Sequence, residues 1–291
     1  MSMRNLRPIK LCFLLLFVGC TGTGANTNVG VGTRAAPTGA VASPDLSPFF
    51  KDTVGCFVLY ELKQNRYTRY NEARCRERFS PKSTFKIPNS LIGLETGVIS
   101  GADFVIPWDK AKYPDEGWTA EPFAHWKRDH DLRSAFKYSV LWYYREIAKR
   151  VGAERMKESV TKLDYGNRDT SGELERFWLN NEKLKISADE QVEFLKKLYA
   201  GKLPVSRRSI DIVKEIMVQE STPVYTLSAK TGGGPRAQGI VIGWYVGYVE
   251  TRGEVYFFAM NIDGPNYLSI RDKRIDMTRR ALAHLGVLPK Q

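Results

Sequence analysis

The sequence predicts an α/β (α+β) fold. Segments from both ends of the folded part join one antiparallel sheet flanked by helices, a mostly helical lobe is inserted between them, and a functional cleft lies between sheet and lobe. Three observations carry this. Runs rich in Val, Ile, Tyr, Phe and Trp stand at 54–75 and again at 224–262, the composition of strands. The middle of the chain instead shows helical periodicity, and strands at both ends with helices between imply terminal pieces sharing a sheet. The chain has 291 residues, of which 43% are hydrophobic, enough to bury a core without staples. It contains no internal repeat.

Arg4, Arg7 and Lys10 precede the short apolar run Leu11 to Val18. This reads as a signal peptide over 1–20, too short to span a bilayer. The run ends Leu16-Phe17-Val18-Gly19-Cys20, which resembles a bacterial lipobox with Cys20 as the lipidated residue, although Phe17 stands where leucine is usual. Ordinary cleavage a few residues later is the alternative. Both outcomes export the protein, and the expected location is the periplasm, with a membrane anchor if Cys20 is modified. Residues 21–43, rich in Gly, Thr, Ala and Asn, form a flexible tether. A single folded domain then covers 44–291.

Val54 to Leu62 and Tyr67 to Cys75 read as a hairpin around Gln64-Asn65-Arg66. Cys56 and Cys75 are equidistant from the turn centre between Asn65 and Arg66, so in that register they face each other and form a disulfide, as suits an exported chain. A bulge would spoil the match. A helix opens near Ser83 and ends at Thr96-Gly97. Residues 100–137 read as irregular. His125 and His130 lie there without the spacing of a metal site, and no metal is expected. Helices follow at Ser139 to Val151, Ala153 to Lys162, Ala188 to Tyr199 and Ser206 to Met217. The third is capped by Ser187 with Glu190 in the capping-box position.

Three strands come next, at Val224 to Lys230, Gly239 to Glu250 and Glu254 to Ile262, with a tight turn at Thr251-Arg252-Gly253. The second is apolar on both faces and is expected at the centre of the sheet. A last helix spans about Ser269 to Leu285. The formal net charge is +12, but the lysines and arginines are scattered. Without a basic run, nucleic-acid binding is not expected, and the charge points to a solvated surface or to anionic substrates.

Ser83 and Lys86 are three residues apart, which puts a hydroxyl beside an amine on one helix face. A serine needs a base to become a nucleophile, and a lysine serves as one only when it loses its positive charge. Ser-x-x-Lys occurs three times, at Ser83/Lys86, Ser134/Lys137 and Ser159/Lys162, so spacing alone does not choose among them or exclude a capped helix with a surface lysine. Further on, Lys230-Thr231-Gly232-Gly233-Gly234 offers a cation, a hydroxyl and glycines that let backbone approach a ligand; a glycine-rich hairpin loop is the plain alternative.

Order resolves this. Ser83-Thr84-Phe85-Lys86-Ile87-Pro88, Ser139, Tyr165-Gly166-Asn167, Phe177-Trp178-Leu179, Lys230-Thr231-Gly232 and Gly243-Trp244-Tyr245-Val246-Gly247 follow one another as in the penicillin-recognising serine enzymes. From about Gly55 onward the chain resembles the class D β-lactamases, the oxacillinases. The resemblance implies hydrolysis of β-lactam antibiotics, with Ser83 as the acylated nucleophile. It implies that Lys86 is N-carboxylated by carbon dioxide or bicarbonate, the one co-reactant needed, and becomes an anionic base held by the Trp178 indole N–H. Ser139, helped by Lys230, passes a proton to the departing nitrogen. Thr231 and Arg271 bind the substrate carboxylate, and the N–H groups of Ser83 and Gly233 form the oxyanion hole beside Gly232.

Plain readings stand beside these roles. Trp178 fits a core aromatic, Ser139 an N-cap, Arg271 a surface residue of the last helix, and Tyr165-Gly166-Asn167 a structural turn. One departure concerns the second motif, usually Ser-x-Val in the family. Here Leu141 stands at its third position, which puts the rate of deacylation in question. A penicillin-binding sensor or transpeptidase-like protein that stays acylated, and a non-catalytic envelope lipoprotein, are the alternatives. The sequence gives no oligomeric state.

Overall fold

The computed structural model describes residues 44–290 except 116, 118 and 120, and these fall in one compact unit. The expected signal peptide and tether, with Cys20, lie outside the described residues. Six strands form one sheet: β1 (Gly55–Glu61), β2 (Arg66–Tyr70), β3 (Val218–Ser221), β4 (Tyr225–Pro235), β5 (Val241–Thr251) and β6 (Glu254–Gly264). Their order is β2-β1-β6-β5-β4-β3, and each neighbouring pair is antiparallel. The join between β1 and β6 is what unites the two ends of the chain.

β5 is central and buried on both faces, as its sequence predicts, because successive side chains alternate between two cores. Ile242, Trp244, Val246 and Tyr248 point to the helical lobe. Tyr245 and Val249 point to the opposite core, with Phe50, Met277, Ala281 and Leu282. The turn from β5 to β6 pairs Thr251 with Glu254, and Arg252 and Gly253 both have positive φ, 51° and 71°. This is the geometry that two-residue hairpin loops favour.

The lobe contains α1 (Glu72–Arg76), α2 (Lys86–Glu95), α3 (Leu132–Lys137), α4 (Leu141–Val151), α5 (Ala153–Lys162), α6 (Ala188–Tyr199) and α7 (Arg207–Ile216). Every residue of α2 from Lys86 to Leu94 is buried, so α2 is the pillar around which the lobe packs. Each fully buried large apolar side chain contributes roughly 1.5–3 kcal/mol. Ser187 and Glu190 form the expected capping box on α6. The expected last helix is two pieces, α8 (Tyr267–Arg271) and α9 (Lys273–His284). The short edge strand β3 was not apparent in the sequence: its largely exposed Val-Gln-Glu-Ser carries little apolar signal.

The expected Cys56–Cys75 disulfide is not formed; both cysteines are buried free thiols. The hairpin pairs Phe57 with Tyr70 through Glu61 with Arg66, so it closes between Lys63 and Gln64 and the anticipated register is wrong. Asn71, at φ 55°, ends β2 and caps α1 by accepting from the Arg74 N–H. Cys75 therefore sits on a helix and not in the β2 register, although its thiol still reaches that of Cys56, a contact that with burial raises its pKa. Its thiol donates to the Tyr70 carbonyl at 3.3 Å. Cys56 lies opposite Asn261 on β6, and its sulfur accepts from the Asn261 amide at 3.2 Å.

Candidate active site

Ser83 is not a helix N-cap as the sequence suggested. It lies in a 3-10 turn, Lys82–Phe85, from which α2 begins at Lys86, and no side chain caps either element. The pairing expected from spacing is nonetheless present: Lys86 Nζ donates to Ser83 Oγ at 2.8 Å. Lys86 is 1% exposed, and burial pushes its amine down to about 7. Its Nζ lies 5.2 Å from the centre of the Tyr144 ring. The other two Ser-x-x-Lys matches have separate uses. Ser134 Oγ donates to Asp131 Oδ1 at 2.6 Å in the cap of α3, and Lys162 pairs with exposed Glu158 on α5.

Lys230 reaches the same locality from β4. It is 4% exposed, and burial, then the charge of Lys86, then that of Arg274 hold its pKa well below the usual lysine value. Its Nζ donates to the Thr231 carbonyl at 3.1 Å. β4 can come this close to the Ser83 turn because Gly232 lacks a side chain. A Cβ there would lie 2.9 Å from the Pro81 carbonyl oxygen and 3.2 Å from the Thr84 nitrogen.

The Ser83 turn and β4 wall a cleft of about 1030 Å³ that is lined by Ser83, Ser139, Leu141, Thr231, Gly233 and Arg271, among others. Ser139 precedes α4 with φ 56°. α4 begins at Leu141 with Val140 at its cap position and no side-chain cap bond, so the capping alternative for Ser139 is set aside. A non-glycine residue held in the left-handed region costs free energy and marks functional sites. Arg271 is half-buried and turned to its neighbour Asp272, at 2.7 Å.

Trp178 is fully buried. Its ring stacks on Phe85 at 5.4 Å between centroids and meets Phe177 edge-on. Its indole N–H is buried without a hydrogen-bond acceptor, which a purely structural tryptophan seldom tolerates. Tyr165-Gly166-Asn167, by contrast, is structural. Gly166 has φ 56°, and a Cβ on it would lie 2.1 Å from the Lys185 carbonyl. Asn167 bonds Lys183 and Lys185 across that turn at 2.8 and 2.9 Å, while buried Tyr165 meets Phe85 edge-on.

Two cations were missed in the sequence. Lys82, just before Ser83, donates from Nζ to the Leu179 carbonyl at 2.6 Å and to Asn181 Oδ1 at 2.9 Å. Arg274 is 3% exposed and donates from Nη1 to the Gly232 carbonyl at 2.5 Å, while its Nε lacks a partner. Both line the cleft. Their flanking residues are ordinary polar ones, so neither stood out. The histidines are engaged elsewhere: His125 pairs with Glu121 at 3.0 Å, and His130 Nε2 lies 2.9 Å from the His125 carbonyl. Among the described residues no group of three or more His, Cys, Asp or Glu side chains is arranged to hold a metal ion.

A buried lysine on a serine hydroxyl, beside a second buried lysine on a glycine-rich strand, fits the penicillin-recognising enzymes, and comparison with known proteins decides the branch. A family model described as the penicillin binding protein transpeptidase domain matches residues 55–278. The β-lactamase OXA-48 of Klebsiella pneumoniae is 46% identical over 72% of this chain and 76% of its own length. The chain belongs to the class D β-lactamases. It is thus a serine β-lactamase, a hydrolase of cyclic amides. A probable β-lactamase of Bacillus subtilis, YbxI, is 40% identical over 77% of this class D chain and 79% of its own. The crystal structure of a class D β-lactamase from Nostoc shares its fold with a TM-score of 0.76 and 38% identity, covering 84% of this chain and 99% of that one.

Proposed function

We propose that the chain hydrolyses β-lactam antibiotics through an acyl-enzyme on Ser83, released by a water that N-carboxylated Lys86 activates. The observation that carries this is the buried Lys86 amine on the Ser83 hydroxyl, and the unpartnered Trp178 N–H supports it. Lys86 is buried, touches Ser83 Oγ and has its pKa lowered to about 7 by burial. A large share of its amine is therefore neutral near pH 7, as attack on carbon dioxide requires; the amine forms an N–C bond and releases a proton. The unpartnered Trp178 N–H, on a ring packed against the residue preceding Lys86, is a donor suited to the new anion. Carboxylation turns an amine into an anionic general base.

The remaining residues divide the work. Ser139, with Lys230, would deliver a proton to the lactam nitrogen as it leaves. Thr231 would hold the substrate carboxylate with Arg271, and buried Arg274 adds positive potential behind that strand. The N–H groups of Ser83 and Gly233 would stabilise the oxyanion. Leu141 on the cleft wall bears on access of water. We further propose that the protein is exported to the periplasm and tethered through Cys20; metabolic lipid labelling that persists in Cys20→Ala would refute the tether.

Intact-protein mass spectrometry with benzylpenicillin tests the main reading. A transient adduct on Ser83 is expected, and Lys86→Ala should convert it to a long-lived one. A lasting adduct on the unaltered protein would make it a sensor-like acceptor, and rapid turnover by Lys86→Ala would eliminate the carboxylated base.

A further inference from the structure

Lys82 occupies a costly position. It has φ 53°, a region that disfavours residues with a Cβ, and it is 2% exposed. Burial alone pushes its amine down to about 8, with no charged partner acting on it. Neutral oxygens are its acceptors, the Leu179 carbonyl and Asn181 Oδ1. The stem of the side chain passes Gly234, where a Cβ would lie 3.4 Å from Lys82 Cδ and 3.6 Å from Cε. The lysine thus runs from the nucleophile turn, past the edge of β4, to the segment that follows Trp178.

That segment is held by the same short stretch of chain at several points. The Trp178 carbonyl accepts from the Lys82 N–H at 3.2 Å and from Ser80 Oγ at 2.8 Å. The next carbonyl, of Leu179, accepts from Lys82 Nζ. Backbone and side chain of one residue therefore fix two successive peptide groups, the first belonging to the tryptophan whose N–H lacks an acceptor. We infer that Lys82 is a positioning residue: it clamps residues 178–181 to the nucleophile turn and so sets how tightly Trp178 grips carboxylated Lys86. This inference rests on the proposed carboxylation. Lys82 acts through Trp178, so its loss raises the carbon dioxide requirement and slows deacylation while sparing attack by Ser83.

The test uses Lys82→Met, which keeps the apolar stem and removes the donors, and Lys82→Arg, which keeps a cationic donor. Asn181→Ala removes one acceptor and leaves Lys82 in place, which keeps the question answerable if Lys82→Met fails to fold. Penicillin turnover is measured against bicarbonate concentration, and carboxylated lysine is read by carbon-13 NMR after addition of labelled bicarbonate. For Lys82→Met the half-saturating bicarbonate should rise roughly tenfold, the scale expected on loss of charged hydrogen bonds. Its carbamate signal should weaken at fixed bicarbonate, and its turnover should recover at saturation. Asn181→Ala should move in the same direction, and Lys82→Arg should move less than Lys82→Met. Unchanged half-saturation in Lys82→Met and Asn181→Ala, with a normal signal in the unaltered enzyme, overturns the clamp and leaves the carboxylation standing. So does a loss of turnover that bicarbonate does not restore. No carbamate signal and no bicarbonate response in the unaltered enzyme would instead remove the carboxylation itself.

Discussion

Trp178→Phe isolates one hydrogen bond. The replacement keeps an aromatic ring where Trp178 stacks on Phe85 at 5.4 Å and meets Phe177 edge-on at 5.1 Å. It deletes the N–H that is buried without an acceptor. If that N–H holds carboxylated Lys86, the loss is one hydrogen bond to a charged group, about 1.5–3 kcal/mol. That corresponds to roughly a 10- to 150-fold weaker affinity for carbon dioxide. Thermal stability should fall as well, because the smaller ring leaves space in the core. Stability alone is therefore no evidence, and the informative assay is turnover of a penicillin as bicarbonate is varied, with acyl-enzyme lifetime followed by mass spectrometry. The expected result is a lasting adduct at ambient carbon dioxide and recovery with added bicarbonate. Wild-type turnover without added bicarbonate, or a defect that bicarbonate leaves untouched, would refute the reasoning.

Two further outcomes follow from the geometry. Burial lowers the Lys86 amine to about 7, so its neutral fraction falls as pH drops through that value; turnover at low bicarbonate should decline from about pH 8 to about pH 6, and added bicarbonate should shift the decline to lower pH. A profile that is flat over this range and indifferent to bicarbonate would contradict it. Gly232→Ala puts a Cβ 2.9 Å from the Pro81 carbonyl oxygen, which forces β4 from the Ser83 turn at a cost of about 1–3 kcal/mol. Acylation, read from the burst of a chromogenic substrate, should slow while far-UV circular dichroism is retained, and an unchanged burst would count against the close approach.

The active-site motifs were legible in the sequence because local spacing encodes them. Lys86 follows Ser83 by one helical turn, and the 2.8 Å contact is what that spacing predicts. β5 announced its central place by being apolar at successive positions, and α6 by its Ser187–Glu190 box. Errors arose where a local pattern had competing readings. The alternating residues up to Cys75 looked like strand, but Asn71 in the left-handed region turned the chain into α1 and separated Cys75 from the β1 register. For Ser139 the sequence left a cap open beside a catalytic role, and its φ of 56° is a property of the folded backbone alone.

By itself, then, the sequence determined the order of the motifs, the terminal strands with their inserted helices, and the pairing of Ser83 with Lys86. These depend on side-chain type and short-range periodicity, which any segment carries with it. Tertiary structure alone decided the pKa shifts and the walls of the cleft. Lys86 and Lys230 have lowered pKa values because segments far apart in sequence exclude water from both, and Lys230 also feels the charge of Lys86. Lys82 reaches Leu179 and Asn181 across nearly a hundred residues of chain, and Arg274 reaches Gly232 from the last helix. Burial and long-range contact depend on the whole fold, and no window of sequence contains them.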